Sequence, residues 1–297
     1  MICGIIYTEK LVKLGVKEMM VSLLKRWNKC FKPVVHPFNL NNDGIKTYSM
    51  WQYEKGEDTI KFYLDYLSKE EMFQEKEILD IGCGAGGKSL YYASCGAKKV
   101  TGVDIVPKYE QDSRKLAEQL HLQDKFEFFL ADASKLPFAD NSFDTIIMND
   151  AMEHVAQPEA VLKEVMRVLK KDGRVFINFP PYNHPFGAHL SDVIFIPWVH
   201  LFFRDETLIK AYKELVKDLP DGEERISFRI SMDQNGKEYF SYINKMTLKR
   251  YKKILNNLQI TPVYYKEVPL RGFLKPIAKL PFFREYFVKM AVSVLKK

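Results

Sequence analysis

A run of glycines flanked by two aspartates has the spacing of a site that binds a nucleoside. A short apolar strand at 77–81 leads into the glycine-rich turn 82–87. Glycine has no Cβ, so it lets the backbone turn tightly and approach a ligand closely. Asp80 lies near the end of this strand, and Asp104 follows the next strand, 99–103. An acid in the position of Asp104 can accept hydrogen bonds from both hydroxyls of a ribose.

The glycine spacing alone fits two kinds of nucleotide site. Gly82, Gly84 and Gly87 match the dinucleotide pattern G-x-G-x-x-G, whereas Gly82, Gly84 and Gly86 match the tighter pattern G-x-G-x-G. The carboxylate of Asp80 would meet a positive ligand group and would repel a pyrophosphate. A cationic nucleoside therefore fits this turn better than a dinucleotide does.

The segments around this turn alternate between strand and helix patterns. Ligands of open parallel sheets bind at the carboxyl ends of the strands, so we expect the candidate residues along that edge. The sequence predicts an α/β fold with a Rossmann-like, seven-stranded, mostly parallel sheet, helices on both faces, an N-terminal helical extension and an insertion after the fifth strand. The predicted strands are 77–81, 99–103, 126–130, 143–148, 174–179, 260–266 and 288–295. The predicted helices are 88–94, 108–120, 247–258 and one that starts at Pro158 and stops at Gly173.

Five motifs stand in order along the chain: D-I-G-C-G-A-G at 80–86, V-D at 103–104, A-D-A at 131–133, L-P-F-A-D-N-S-F-D at 136–144 and M-E-H-V at 152–155. They resemble the motifs of the class I S-adenosylmethionine-dependent methyltransferases. The match is most similar to the branch that includes the ubiquinone and menaquinone biosynthesis methyltransferases. The resemblance implies S-adenosylmethionine as cofactor and a methyl transfer by in-line displacement to a small, hydrophobic acceptor that is lipid- or quinone-like.

The resemblance also implies which residues bind the cofactor. Asp132 would accept a hydrogen bond from the exocyclic amine of adenine, although an aspartate that merely forms a turn would look the same. In related enzymes the segment before the first strand folds over the cofactor, and Trp51 and Tyr53 fit that role and a place in the hydrophobic core equally well. The predicted cofactor-binding residues are Asp80, Gly82, Gly84, Gly86, Asp104, Ile105, Asp132, Ala133 and Asn149.

Three segments are predicted along the chain. Residues 1–70 form the N-terminal helical extension that caps the cofactor, and residues 71–180 with 246–297 form the methyltransferase core. Residues 181–245 form an inserted lid or acceptor-pocket segment, because an insertion of this length usually has a function. Its first half concentrates histidines among aromatic and branched side chains, as expected of a hydrophobic pocket with a few polar groups.

Four histidines are candidates for a general base. A base helps only if the acceptor nucleophile carries a proton, as a phenol or an alcohol does. Histidine suits this role because it can be neutral near pH 7. Each candidate could equally make a structural hydrogen bond. They are His154, after the fourth strand, and His184, His189 and His200, in the insertion.

No metal site is predicted. Some relatives hold a divalent ion through a Glu-x-x-Glu-His set, which corresponds here to Asp150, Glu153 and His154. The shorter side chain of Asp150 argues against this role, and acids also occur at the start of a helix, where the helix dipole favours them.

Two other functions remain open. One is a nucleotide-dependent oxidoreductase, which Asp80 and the insertion disfavour, because a second dinucleotide-binding half would be needed. The other is a methyltransferase-like protein that binds a partner without catalysis, which the intact cofactor motifs disfavour. Nucleic acid is not expected as a partner, because residues 149–152 read Asn-Asp-Ala-Met rather than Asn-Pro-Pro-Tyr.

Composition predicts a cytoplasmic globular protein. Of the 297 residues 46% are hydrophobic and 13% aromatic, which is enough for a sizeable core. No apolar run approaches the roughly eighteen residues that a membrane span requires. The cysteines lack paired metal spacing and are expected to be reduced thiols; they are Cys3, Cys30, Cys83 and Cys95.

Both ends of the chain are basic and rich in large apolar side chains. Residues 246–297 hold twelve Lys and Arg against two acids, and residues 1–36 hold seven against two. This combination predicts peripheral membrane contact, in the N-terminal helix and in the segment 270–297. The other interpretation is ordinary packing, with the lysines in water and 288–295 as the last strand. The apolar face of the N-terminal helix carries Val12, Val16, Met19, Leu23, Trp27, Cys30 and Phe31.

Overall fold

The computed structural model describes residues 2–274, 276, 280 and 283–297 of the chain. The chain divides into two compact units. The sheet unit comprises Asp43–His184 and Asn244–Lys297, and the helical unit comprises Met1–Asn42 and Pro185–Ile243.

The strands and helices are numbered along the whole chain. The strands are β1 Glu77–Ile81, β2 Lys99–Asp104, β3 Phe126–Leu130, β4 Phe143–Asn149, β5 Leu169–Phe179, β6 Ile230–Met232, β7 Glu238–Phe240, β8 Tyr264–Pro269 and β9 Val288–Lys296. The helices are α1 Ile2–Asn28, α2 Pro37–Asn42, α3 Tyr48–Glu54, α4 Gly56–Ile60, α5 Lys69–Phe73, α6 Gly87–Ser94, α7 Lys108–Gln119, α8 Pro158–Val168, α9 Val199–Phe202, α10 Asp205–Val216, α11 Gly222–Arg229, α12 Leu248–Asn257 and α13 Arg284–Phe287.

The sheet unit contains a seven-stranded sheet in the order β3-β2-β1-β4-β5-β9-β8. Its strands pair in parallel except β9, which runs antiparallel to both β5 and β8. The prediction of a Rossmann-like, mostly parallel sheet is therefore confirmed. The order reverses between β1 and β4, and ligands of such sheets bind at the carboxyl ends of the strands beside that point.

Apolar residues cover both faces of this sheet. Successive side chains of a strand point to opposite faces, and Ile78 packs in one buried cluster while Leu79 packs in another. Ile146 and Ile147 of β4 alternate between the same two clusters. A sheet buried on both faces needs nearly continuous apolar strands, which explains why the sequence pattern located β1 and β4 correctly.

Several predicted boundaries differ from the structure. Helix α8 ends at Val168, and β5 starts at Leu169 rather than at the predicted 174, so Gly173 belongs to the strand. Gly173 is needed for close approach rather than as a helix stop, because a Cβ there would lie 2.9 Å from the carbonyl oxygen of Asp144. Strand β8 starts at Tyr264, later than the predicted Ile260, since Pro262 interrupts the pattern and cannot donate to a ladder.

In the helical unit, α1 packs on α10. The interior side chains of α1 include Val21 and Leu24, which are buried, and Asn28. The Asn28 carboxamide accepts a hydrogen bond from the Phe195 amide at 2.6 Å and donates one to the Val193 carbonyl at 2.7 Å. These contacts join α1 to the residues that follow Pro185.

The predicted extension 1–70 is divided between the two units. Residues 1–42 group with 185–243, whereas 43–70 belong to the sheet unit, because α3 packs directly on α6. Most of the predicted insertion, 181–245, belongs to the helical unit, whose second segment runs from Pro185 to Ile243.

Parts of the predicted membrane-contact ends can now be placed. Residues 288–296 form β9, the last strand of the sheet. Within the segment 270–297, residues 275, 277–279, 281 and 282 lie outside the described residues, as does the side chain of Cys3. The described cysteines Cys30, Cys83 and Cys95 are free thiols. None of the helices in the part of the chain that the structure describes combines the length and apolarity needed to cross a bilayer.

Candidate functional site

The turn between β1 and α6 is built on left-handed glycines. Gly82, Gly84 and Gly86 have φ values of +69°, +57° and +75°, in the region where side chains other than glycine are strained. A Cβ at Gly84 would also lie 2.7 Å from Nε2 of Gln52. The turn therefore presents bare backbone, as a site that approaches a ligand closely requires.

Asp104 is held against this turn. Its Oδ2 accepts a hydrogen bond from the Gly84 amide at 2.9 Å, and its Oδ1 accepts one from the Val106 amide at 3.0 Å. Burial raises the pKa of Asp104 above its ordinary value, and the backbone donors oppose that shift. The Ile105 amide is a third backbone donor to this carboxylate, which offers about four acceptor positions in all. The neighbouring Ile105 is 70% exposed, so the edge of the site is open beside it.

Asp80 lies buried in β1, on the strand side of the same turn. The hydroxyl of Ser89 donates a hydrogen bond to its Oδ2 at 2.6 Å. Burial raises the pKa of Asp80 to about 7, while Ser89 and Lys88 oppose the shift. Asp80 therefore changes its charge near neutral pH, and a positive ligand group would favour its ionised form.

Asn149 at the end of β4 lies in a buried network of neutral side chains. Its Oδ1 accepts hydrogen bonds from Tyr63 at 2.6 Å and from Asn178 at 2.7 Å, and its Nδ2 donates to Tyr92 at 3.1 Å. Both acceptor positions of the amide are then occupied, and one amide hydrogen is left. The predicted cofactor contact of Asn149 is limited to that hydrogen or to its backbone.

Asp132 and Ala133 follow β3. The Oδ1 of Asp132 accepts a hydrogen bond from the Ser134 amide at 2.8 Å, which is the bond of a turn-forming aspartate. Ala133 is buried in one of the two apolar clusters of the sheet. The structure thus shows the turn, and the adenine contact of Asp132 stays a prediction.

Sequence reasoning missed two residues beside the glycine turn, Tyr48 and Gln52 of α3. The carboxamide of Gln52 lies 3.4 Å from both the Cys83 carbonyl and the Gly87 amide, and it donates to the Tyr48 hydroxyl at 3.3 Å. Thr47 caps α3, and residues four apart lie on one face of a helix. The capping threonine and the four-residue spacing of Tyr48 and Gln52 could have located this helix and its face in the sequence.

The aromatic residues considered from the sequence lie differently. Trp51 stacks on Tyr48, with ring centroids 6.3 Å apart, and Tyr53 packs edge-on against Tyr91 at 6.2 Å. Tyr53 also packs against a buried cluster of the sheet, in agreement with the core alternative for this residue.

The four candidate histidines fall into the two units. His154 and His184 belong to the sheet unit, and His189 and His200 belong to the helical unit. Nε2 of His154 lies 3.8 Å from Oε1 of the buried Glu153.

The acids beside His154 differ in their surroundings. Burial, and then the charge of Asp150, raise the pKa of Glu153 well above its ordinary value. The Asp150 carboxylate pairs with the Lys88 ammonium at 2.7 Å, so it is already neutralised by a cation of the chain.

This sheet order, together with a glycine turn and two acids at its carboxyl edge, defines the class I methyltransferase fold. Residues 79–177 match a protein-family model described as a methyltransferase domain. The predicted class, a domain of the S-adenosylmethionine-dependent methyltransferases with that cofactor, is confirmed.

Two curated relatives have named activities. The chain is 32% identical over 125 residues to a sterol 4-C-methyltransferase of Caenorhabditis elegans, covering 42% of this chain and 37% of that protein. It is 33% identical over 140 residues to a demethylmenaquinone methyltransferase of Symbiobacterium thermophilum, covering 46% and 55%. The chain thus spans less than two thirds of the length of these relatives.

A solved structure shows the same fold over a larger share of the chain. It is the geranyl diphosphate C-methyltransferase of Streptomyces coelicolor A3(2), with a TM-score of 0.52 and 13% identity, covering 80% of this chain and 76% of that one.

Proposed function

We propose that this protein is an S-adenosylmethionine-dependent methyltransferase that acts on a small, hydrophobic acceptor of the lipid or quinone type. The observation that carries the proposal is the pairing of Asp104 with the Gly84 amide at 2.9 Å. This bond holds the carboxylate that would bind the ribose beside a glycine turn that has no side chains to block the cofactor. The relatives named for sterol and menaquinone substrates support a hydrophobic acceptor.

The residues of the turn fit the cofactor. Asp104 would accept a hydrogen bond from the ribose hydroxyls, and Asp80 would face a positive group. When bound, S-adenosylmethionine supplies a methyl group on a sulfonium, which is already a strong electrophile. The contribution of the chain is to hold the acceptor in line with the methyl group and to exclude water, and positioning of this kind can supply much of the rate.

We propose His154 as the base for acceptors that carry a proton. His154 follows β4, at the edge of the sheet where the cofactor residues lie, and Glu153 lies 3.8 Å from its Nε2. Burial raises the pKa of Glu153 well above its ordinary value, so Glu153 already carries its proton and the imidazole of His154 would accept the proton from the acceptor. His184, His189 and His200 remain alternative candidates.

Residues 181–245 are the proposed source of the acceptor-binding side chains. The support is the density of large apolar residues around Trp198, with Ile194 and Ile196 buried within the helical unit. Trp198→Ala or His189→Ala should lower turnover and leave cofactor affinity nearly unchanged. Loss of cofactor affinity with normal acceptor kinetics would contradict this division of roles.

Calorimetry with the purified chain tests the cofactor. S-adenosylmethionine should bind with micromolar affinity and NAD far more weakly; tighter binding of NAD would instead favour the oxidoreductase. Asp104→Ala should weaken S-adenosylmethionine binding by about 1–3 kcal/mol, because a charged acceptor is lost. Asp124→Ala changes an exposed aspartate of the same unit and is the matched control.

Transfer of a labelled methyl group tests the activity. The acceptors to offer are a sterol, a demethylated quinone and a phenolic lipid, each dispersed in detergent. Label in one of these products supports the proposal. Cofactor binding without transfer to any of them would favour the binding protein without catalysis.

A further inference from the structure

Helix α1 has more apolar surface than the helical unit buries. Val21 and Leu24 are 2% and 0% exposed, so one face of the helix lies in the interior. Val16, Met19 and Leu23, spaced as i, i+3 and i+7 on another face, are 49%, 60% and 52% exposed. Three large apolar side chains on one helix face are thus left in water.

Helix α9 extends this surface. The Trp27 ring of α1 packs edge-on against Phe202, with ring centroids 5.4 Å apart. Phe202 is 59% exposed and Leu201 is 46% exposed. Contiguous exposed apolar residues mark interaction sites more often than scattered ones do. We call this surface the α1–α9 patch; its members are Val16, Met19, Leu23, Trp27, Leu201 and Phe202.

The charges beside the patch are mostly positive. Residues 15–32 contain five basic side chains and one acid, Glu18. Glu18 pairs with Lys210, and Lys25 pairs with Glu214 at 2.7 Å. Of the other four cations Lys17 is half-buried. The exposed ones are Arg26, Lys29 and Lys32, which form no ion pair within the described part of the chain.

We propose that the α1–α9 patch docks on an anionic lipid surface. Apolar side chains flanked by unpaired cations match the two components of such a surface, acyl chains and negative headgroups. Each cation near the surface adds to the attraction. A second copy of this chain fits less well, because docking would bring the cations of both copies together. The inference stands on the helical unit alone, so it can fail while the proposed methyl transfer holds.

Sedimentation of the full chain with vesicles tests the proposal. The probes are vesicles of phosphatidylcholine alone and of phosphatidylcholine mixed with phosphatidylglycerol, each at low and high salt. Attachment should occur with the anionic vesicles at low salt. It should fall about tenfold or more at high salt, because salt screens the attraction, and by a similar factor with neutral vesicles, because they carry no negative charge. No attachment to anionic vesicles at low salt would overturn the proposal.

Two pairs of variants locate the surface. Met19→Ser with Leu23→Ser should reduce attachment about tenfold, whereas Met232→Ser, at a methionine of β6 that is 64% exposed, should not. Arg26→Glu with Lys29→Glu should also reduce attachment, and Lys253→Glu, on the exposed side of α12, should not. Equal loss in a variant and its control would contradict the location.

The same variants test whether a second copy of the chain, rather than a lipid surface, covers the patch. Circular dichroism checks that the variants are folded, and analytical ultracentrifugation without lipid gives their mass. A wild-type dimer that the Met19 and Leu23 changes convert to a monomer would show that a second copy covers the patch, and it would overturn the lipid proposal.

Discussion

The two units bury polar side chains of different kinds. In the sheet unit, Tyr63, Asn149 and Asn178 form a network of neutral groups joined by hydrogen bonds of 2.6–2.7 Å. In the helical unit the buried acid Asp192 pairs with Arg225 at 3.1 Å. The Asn149 network consists of neutral amides and hydroxyls, and the cluster around Asp192 consists of charged groups.

The cluster around Asp192 contains two buried arginines, and Arg225 also pairs with Asp221 at 2.9 Å. Arg229 lies 3.5 Å from the Asp192 carboxylate, and its guanidinium lies 5.2–5.3 Å from the rings of Phe38 and Tyr212. Cation–π contacts of this kind partly replace lost hydration. In the described residues, Nη2 of Arg225 and Nη1 of Arg229 have no hydrogen-bond acceptor.

The difference predicts unequal sensitivity to single substitutions. A neutral network that loses one member leaves a polar group unsatisfied, whereas a buried ion pair that loses one member leaves a charge without compensation. The second loss is the more destabilising, so the helical unit should be the more fragile of the two.

The largest effect is expected for Asp192→Ala. Removing the carboxylate leaves the buried guanidinium of Arg229 without its acid, while Arg225 keeps Asp221 at 2.9 Å. The uncompensated charge should destabilise the helical unit by about 3–5 kcal/mol. Urea unfolding followed by tryptophan fluorescence measures this, since Trp27 and Trp198 lie in the helical unit. The control is Asp218→Ala, which changes an exposed aspartate in the turn after α10. A loss below about 1 kcal/mol would remove the distinction between the two interiors.

A pH dependence should come from Asp80 in the sheet unit. Its pKa in the folded chain is raised to about 7 from 3.8. Below pH 4 the group is protonated in both states. Between about pH 4 and 7 the unfolded chain ionises first, so stability should fall with rising pH, by up to about 4 kcal/mol.

Unfolding of the wild type and of Asp80→Asn across this range measures the effect, and the fall in stability should be clearly smaller in the variant. Saturating S-adenosylmethionine should reduce the fall, because a positive group beside Asp80 stabilises its ionised form. Identical pH profiles for the two proteins would show that another group is responsible.

A matched pair of hydroxyl deletions compares the two interiors directly. The Tyr63 hydroxyl donates to neutral Asn149, and the Tyr212 hydroxyl donates to Oδ2 of Asp192 at 2.8 Å. Tyr63→Phe should cost about 1 kcal/mol and Tyr212→Phe about 2, since a hydrogen bond to a charged group is stronger. Chemical unfolding of both variants tests this, and the reverse order would contradict it.

The smallest effect is expected for Gln52→Ala. Its carboxamide contacts the glycine turn at 3.4 Å, so cofactor affinity should fall by about 3–10-fold, roughly 1 kcal/mol. Tyr212→Phe in the helical unit should leave that affinity unchanged. Calorimetry decides, and equal affinities for Gln52→Ala and the wild type would assign Gln52 a purely structural role.

Local sequence patterns determined the sheet and the backbone of the site. The apolar run of β1 and the glycines after it predicted the strand and the turn, because only glycine adopts these φ values without strain. The helical pattern after Thr247 located α12. The Thr247 side chain caps this helix, because it accepts a hydrogen bond from the Arg250 amide.

Only the tertiary structure decided which side chains meet across the chain. Gln52 reaches the turn 31 residues further on, and Asp192 pairs with Arg225, 33 residues away. The pattern of α1 showed a broad apolar face, but which part is buried depends on where α10 packs. The periodicity of a sequence shows which residues share one face of a helix or strand. Which of these faces is buried, and which side chains pair there, depends on the other elements that pack against it in the folded chain.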